Sequence, residues 1–177
     1  MNKALLILYY SIFSKLPSSW WPGGKLFNKL RILILRRIIK IGKDVKFQKG
    51  IYIGSGRNIR IGDRCQINEG IRLDNVHLGN NVMIGRESIF IGKMHISEDI
   101  NIPMNEQGKK IDFVTVVEDD VWIGLRVIIM PGVKIRKGSI IGAGSIVTKN
   151  TEEYGVYVGV PAKKIKNRNT NDNISQK

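Results

Sequence analysis

Cysteine is nearly absent from this chain of 177 residues. The single one, Cys65, excludes an intrachain disulfide framework and a cysteine-based zinc cluster, and it fits a reducing compartment. There are two histidines, His77 and His95, too few for a three-histidine metal site in one chain. No apolar run reaches the roughly 18 residues that a membrane span requires. The longest, Ala4 to Phe13, has no small-residue cleavage site after it and is not read as a signal peptide. Acids are scarce as well: 15 Asp and Glu stand against 29 Lys and Arg, a formal net charge of +14. With 42% hydrophobic and 25% charged residues, the composition is globular, neither disordered nor collagenous. The length favours one domain.

Glycine, by contrast, is abundant, and its placement is regular. It follows an aliphatic residue at Ile41-Gly42, Ile53-Gly54, Ile61-Gly62, Leu78-Gly79, Ile84-Gly85, Ile91-Gly92, Ile123-Gly124 and Ile141-Gly142. The second half carries the clean register. Val117, Ile123, Ile129, Ile135, Ile141 and Val147 recur every six residues, and Val121, Val127, Val133, Ser139 and Ser145 lie four after the first five. The first half repeats this with slips of one or two residues between runs. A period of six is no helix period; it joins a short alternating strand to a tight turn, with glycine available for positive φ. Three such edges close a triangular coil of about 18 residues, and coils stack into a solenoid with aliphatic columns inside. Residues 41–94 make about three coils and 117–150 about two, a prism roughly 24 Å tall. Cys65 falls on an inward position, so packing is its expected role.

The outward positions of the last coils are Trp122, Ile128, Lys134, Ile140 and Ile146. Residues 18 apart share a face, so two of the three faces are apolar outside. Apolar patches of this kind mark interfaces. A prism that buries two faces suits a closed ring of identical copies, the simplest being a homotrimer.

Residues 1–40 lack the repeat. A short helix is expected around Leu5–Tyr9, a loop over Pro17–Gly24, and a helix over Lys25–Ile39 with Leu26, Leu30, Leu33, Ile34 and Ile38 on one face. This segment is expected to form a helical cap on the open end of the solenoid, and contact with an anionic membrane is the compatible alternative. Residues 41–166 form the solenoid domain, and 95–115 interrupt it with an insertion loop that begins at His95 and contains Pro103. The polar tail 167–177 is expected to be mobile. Nine basic residues against one acid lie between Lys25 and Lys49, but no nucleic-acid motif accompanies them and Trp20 and Trp21 precede them instead of interleaving, so nucleic acid is not the expected partner.

Several stretches are recognisable. They are Val117-Glu-Asp-Asp-Val-Trp122-Ile-Gly124, Met130-Pro-Gly-Val133, Ile140-Ile-Gly-Ala-Gly-Ser145-Ile-Val-Thr-Lys149, Gly159-Val-Pro-Ala-Lys163, and the His95…Pro103-Met104…Gln107-Gly108 insertion. Over about residues 15–168 they resemble the hexapeptide-repeat acyltransferases, closest to the maltose, galactoside and surface-polysaccharide O-acetyltransferase branch. The resemblance implies an all-β fold, a left-handed parallel β-helix, and a homotrimer that binds acetyl-CoA between subunits and acetylates a sugar hydroxyl directly, without a metal. It implies that His95 is the catalytic base and Asn68 a cleft residue. It implies CoA contacts at Trp122, Gly124, Leu125, Gly142, Ala143, Thr148, Lys149, Lys163 and Lys166. Lysine stands at the last two where relatives often carry arginine, and lysine meets a phosphate as a point charge without a planar fork.

The chemistry fits these residue types. A sugar hydroxyl needs a base within hydrogen-bond reach to attack a thioester, and neutral imidazole suits that task. By the same resemblance, a backbone N–H at Gly124 or Leu125 would hold the oxyanion. The glycines beside Ala143 would leave room for the pantetheine arm. His77 lies 18 residues before His95, so the two are candidate vertical neighbours. The acceptor is expected to be a saccharide, free or lipid-linked, and the location cytoplasmic, where acetyl-CoA is found. An N-acetyltransferase acting on an amino sugar needs the same base and cofactor site and stays open. A non-catalytic binding solenoid is the remaining alternative.

Overall fold

The computed structural model describes residues 3–110 and 113–168. Alternation and tight turns produce what the period of six predicts, a prism of three parallel sheets. The first face stacks Lys40–Ile41, Arg60–Ile61, Val76–Leu78, Thr115–Val117 and Lys134–Ile135, one strand for each of five coils. The second stacks Lys46–Phe47, Gln66–Ile67, Met83–Ile84, Trp122–Ile123 and Ile140–Ile141, and continues into Gly155–Val158 and Lys163–Asn167. The third stacks Ile89–Phe90, Ile128–Ile129 and Ile146–Val147, extended downward by bridges from Ile89 to Arg72 and from Arg72 to Tyr52. Register follows the repeat: Trp122 pairs with Ile140 and Ile128 with Ile146, each 18 apart. The inward residues, Val117, Ile123, Ile129, Ile135, Ile141 and Val147 among them, are buried, and so is Cys65.

Apart from Gly54, which itself takes positive φ, the glycines that follow an aliphatic residue serve a purpose other than the expected one. Positive φ falls two residues after most of them, at Asp44, Arg64, Asn81, Glu87, Arg126 and Gly144. The glycine itself is where adjacent coils approach most closely. A Cβ on Gly85 would lie 2.5 Å from the Gly124 carbonyl carbon, and one on Gly124 would lie 2.6 Å from the Ala143 nitrogen. Glycine therefore lets one turn stack on the next, and the room it leaves is filled by backbone.

The N-terminal segment folds as helix α1 (Lys3–Ser11), a short 3-10 turn, and helix α2 (Gly24–Leu35), which packs on the first strands of the first two faces. Of the five apolar residues expected on one face, Ile34 and Ile38 pack against the core and the other three do not. Leu26, Leu30 and Leu33 are exposed, and the inward face carries Arg31 and Leu35. Arg31, fully buried, donates to the carbonyls of Phe47 (2.6 Å), Leu16 (2.6 Å), Phe13 (3.1 Å) and Pro17 (3.2 Å). Asn28 donates to Val45 O at 3.1 Å and accepts from Phe47 N–H at 2.9 Å. Both residues thus satisfy the open edge of the first coil, where unpaired backbone would otherwise remain. The helix also stops earlier than expected, at Leu35, because Arg36–Ile38 turn into the first strand. At the other end the chain stays anchored through Arg168, whose guanidinium lies 2.7 Å from Asp120. The remainder of the expected mobile tail lies outside the described residues.

Candidate active site

The coil geometry sorts the candidate residues onto corners. Asn68 follows a second-face strand and sits on the turn toward the third face. Its backbone N–H bonds to Ile84 O at 3.3 Å and its side-chain amide to the same carbonyl at 2.8 Å. Above it on the same corner stack Gly85, then Gly124 and Leu125, then Gly142 and Ala143. The Gly124 N–H is committed to Ile141 O (2.8 Å) and the Gly142 N–H to Tyr157 O (2.8 Å). Among the described residues, the N–H groups of Leu125 and Ala143 have no partner. Of the two oxyanion donors expected from sequence, Leu125 is therefore the one with a hydrogen to give.

Thr148 and Lys149 lie elsewhere, on the turn from the third face toward the first. From that same corner, at Gly92, the insertion departs. Met94–His95 pairs antiparallel with Lys109–Lys110, so His95 stands exposed on a two-stranded ribbon opposite Lys109. The Ile96 N–H donates to Gly108 O at 3.2 Å. Gln107 ties the loop together by donating to the carbonyls of Asp99 (2.7 Å) and Ile102 (2.6 Å) and accepting from the Asp99 N–H (3.2 Å). Lys110 pairs with Glu98. The excursion is thus built around one glutamine.

Within one chain, then, His95 and Asn68 are not brought together; the third face separates their corners. The other expectations resolve as follows. Trp122 projects from the second face and is exposed. Lys163 and Lys166 lie on the last strand of that face, opposite Val158 and Val156. His77 is not beneath His95: its vertical neighbours are Arg60 and Val116, because the insertion carries the chain off the prism one step earlier. Partial burial, then the charge of Arg60, lowers the His77 pKa.

Two features carry no sequence signal. A cleft of about 240 Å³ opens at the foot of the ribbon, lined by Tyr52, Ser55, Arg57, Asp74 and Lys93, with the Arg72 guanidinium 4.4 Å from the centre of the Tyr52 ring. These residues come from successive coils and form no motif. The second is Glu69, next to Asn68, which accepts from Trp20 Nε1 (2.9 Å) and Arg86 Nε (2.8 Å). Partial burial would raise its carboxyl, but the hydrogen bonds from Trp20 and Arg86 outweigh this and hold it at about 2.

Comparison with known proteins follows the same lines. Residues 114–149 match the family described as hexapeptide repeat of succinyl-transferase. A galactoside O-acetyltransferase of Escherichia coli is 31% identical over 148 residues, covering 82% of this chain and 71% of the relative. A chloramphenicol acetyltransferase of Klebsiella aerogenes is 52% identical over 61 residues, 34% of this chain and only 29% of the relative's length. Among solved structures, a galactoside acetyltransferase in complex with coenzyme A superposes with a TM-score of 0.77 at 28% identity, covering 94% of this chain and 80% of that one.

Proposed function

Because the chain belongs to the hexapeptide-repeat acetyltransferases, as its 31% identity across most of a galactoside O-acetyltransferase shows, we propose that it transfers an acetyl group from acetyl-CoA to a sugar hydroxyl. The β-helix is read as left-handed on the same kinship. The observation that carries the reaction is the corner column of Leu125 and Ala143, whose N–H groups, like that of Arg86 one coil below, are unpaired among the described residues along a turn otherwise closed by coil-to-coil hydrogen bonds. Both turns are exposed, so these donors are accessible to a ligand's polar atoms.

The proposed site is composite. The corner with Asn68, Leu125 and Ala143 comes from one subunit, and the corner with His95, Thr148 and Lys149 from its neighbour. A homotrimer closed through the apolar outward residues Ile128 and Ile146 supplies both. His95 takes the proton from the acceptor hydroxyl as its oxygen attacks the thioester carbonyl carbon. The Leu125 N–H holds the oxyanion. When the carbon–sulfur bond breaks, His95 returns the proton to the leaving thiolate. Asn68 orients the acetyl carbonyl or the acceptor. Trp122 and the glycine corner flank the pantetheine arm, while Lys149, Lys163 and Lys166 neutralise CoA phosphates. The cleft of Tyr52, Arg57, Asp74 and Lys93 beside the ribbon is the proposed acceptor pocket. Its mixed charges and hydroxyls suit a polar saccharide, and we place the enzyme in surface-polysaccharide synthesis. Where the saccharide is lipid-linked, the enzyme would work at the inner face of the cell membrane.

The test is acetyl-CoA turnover with a panel of oligosaccharides, amino sugars and lipid-linked sugars, read as release of free CoA thiol. The one protein thiol, Cys65, is buried, which keeps the background low. Acetylation of hydroxyls supports the proposal. Turnover confined to amines makes it an N-acetyltransferase, and failure to bind CoA at all overturns it.

A further inference from the structure

The outward face of α2 is unpartnered, and its setting is fixed from behind. Leu26, Leu30 and Leu33 follow one another at helical spacing and are 58%, 36% and 60% exposed. At 100° per residue they form a single stripe with Lys25, Lys29 and Arg36, all exposed, along one flank. The helix cannot roll this stripe inward, because Arg31 and Asn28 on the opposite side are bonded to the first coil. At the N-terminal end of the helix, Trp20 and Trp21 pack with ring centroids 5.6 Å apart and remain half exposed. No acid occurs before Asp44, whereas nine Lys and Arg do, of which Arg31 alone is spent on a buried contact.

From this we infer that α2 lies in the interfacial plane of an anionic lipid bilayer, with Leu26, Leu30 and Leu33 inserted among the acyl chains and the flanking cations among the headgroups. A basic amphipathic helix with tryptophan at its end is the composition that partitions to such an interface. Charge decides the kind of membrane: a wholly cationic segment meets attraction from an anionic leaflet and none from a zwitterionic one. This deepens the membrane part of the proposed function by naming the surface and adding insertion to electrostatic adsorption. In any cyclic trimer the three α2 helices lie at one height along the axis, so all three could engage one bilayer and gain avidity. No helix among the described residues is long and apolar enough to cross a membrane, so the contact is peripheral.

The experiment is vesicle co-sedimentation of the full chain, with phosphatidylcholine alone and with phosphatidylcholine containing phosphatidylglycerol. Wild type should bind the anionic vesicles at least about ten-fold more tightly. Part of that binding should survive high salt, which screens surface charge but leaves inserted leucines in place. The Leu30→Glu/Leu33→Glu variant changes only exposed positions. It should keep its circular dichroism spectrum and acetyl-CoA turnover yet lose about ten-fold or more in vesicle affinity. Equal binding by this variant, complete loss of wild-type binding in high salt, or equal binding to both vesicles would overturn the inference. So would an altered oligomeric state in the variant without vesicle binding by wild type, which would make a second copy of the chain the occupant. Acetyl-CoA turnover in the same preparations keeps a failure of the membrane contact separate from a failure of the catalytic reading.

Discussion

Asn68 and His95 stand on different corners of one prism, with the column Ile89–Ile128–Ile146 between them. If one subunit supplies each, the two single variants should complement. His95→Ala should lose roughly 10²–10⁴-fold in kcat with acetyl-CoA affinity nearly unchanged, and Asn68→Ala should also be impaired. Co-refolding the two in equal amounts should restore activity in roughly a quarter of the sites, those that draw each residue from its intact donor. Mixtures no better than the separate variants would place both residues in one subunit's site, and full activity of His95→Ala would remove it from the mechanism.

The same column should hold the ring together. Ile128 is half-buried in the single chain and pairs with Ile146. Ile128→Lys would bury a charge in the interface, which is costly without a partner. Sedimentation should show a shift toward monomer with activity falling in parallel. An unchanged oligomer would mean that this face stays outside the interface.

Arg31 should matter for folding more than any cation at the surface. Arg31→Met leaves carbonyls of Phe13, Leu16, Pro17 and Phe47 without their donor, at a cost of about 3 kcal/mol or more. Arg31→Lys should rescue little, since an ammonium cannot span the same carbonyls as a planar guanidinium. Urea denaturation would measure both, and a loss below about 1 kcal/mol in Arg31→Met would show that water replaces the guanidinium.

Glu69 makes a pH prediction. Its folded carboxyl is held at about 2, below the ordinary 4.5. A lowered carboxylate pKa contributes stability that is present above the unfolded value and disappears as pH falls through the folded one. The stability difference between wild type and Glu69→Gln should therefore be constant above about pH 5.5 and shrink between 4.5 and 2. A difference that does not vary with pH over that window would mean the carboxylate charge is not what holds Trp20 and Arg86.

Cys65→Ser should retain activity. The thiol is buried, its pKa is pushed up by that burial, and its sulfur lies 3.1 Å from Gly79 O. A serine hydroxyl would find the same acceptor, so the stability loss should be near 1 kcal/mol. Loss of turnover in a stably folded Cys65→Ser protein would point to an acyl-cysteine intermediate.

By itself the sequence determined the solenoid. Val117 through Val147 write out its period residue by residue, since each inward position stacks on the equivalent position one coil away. The family motifs likewise named His95, Asn68 and the stretches around Trp122 and Ala143. The tertiary structure alone decided how these stand to one another. The corner on which each falls depends on the slips between coils and on where the insertion leaves the prism, and so His77 stacks under Val116 while His95 departs on a ribbon. It also decided which way α2 faces. Leu26, Leu30, Leu33, Ile34 and Ile38 read as one apolar face by periodicity, yet hydrogen bonds from Arg31 and Asn28 to the open backbone of the first coil leave the three leucines outside while Ile34 and Ile38 pack inward. Periodicity records which residues share a face. Whether that face turns inward is decided by the polar groups it must satisfy, and those belong to residues distant in the chain.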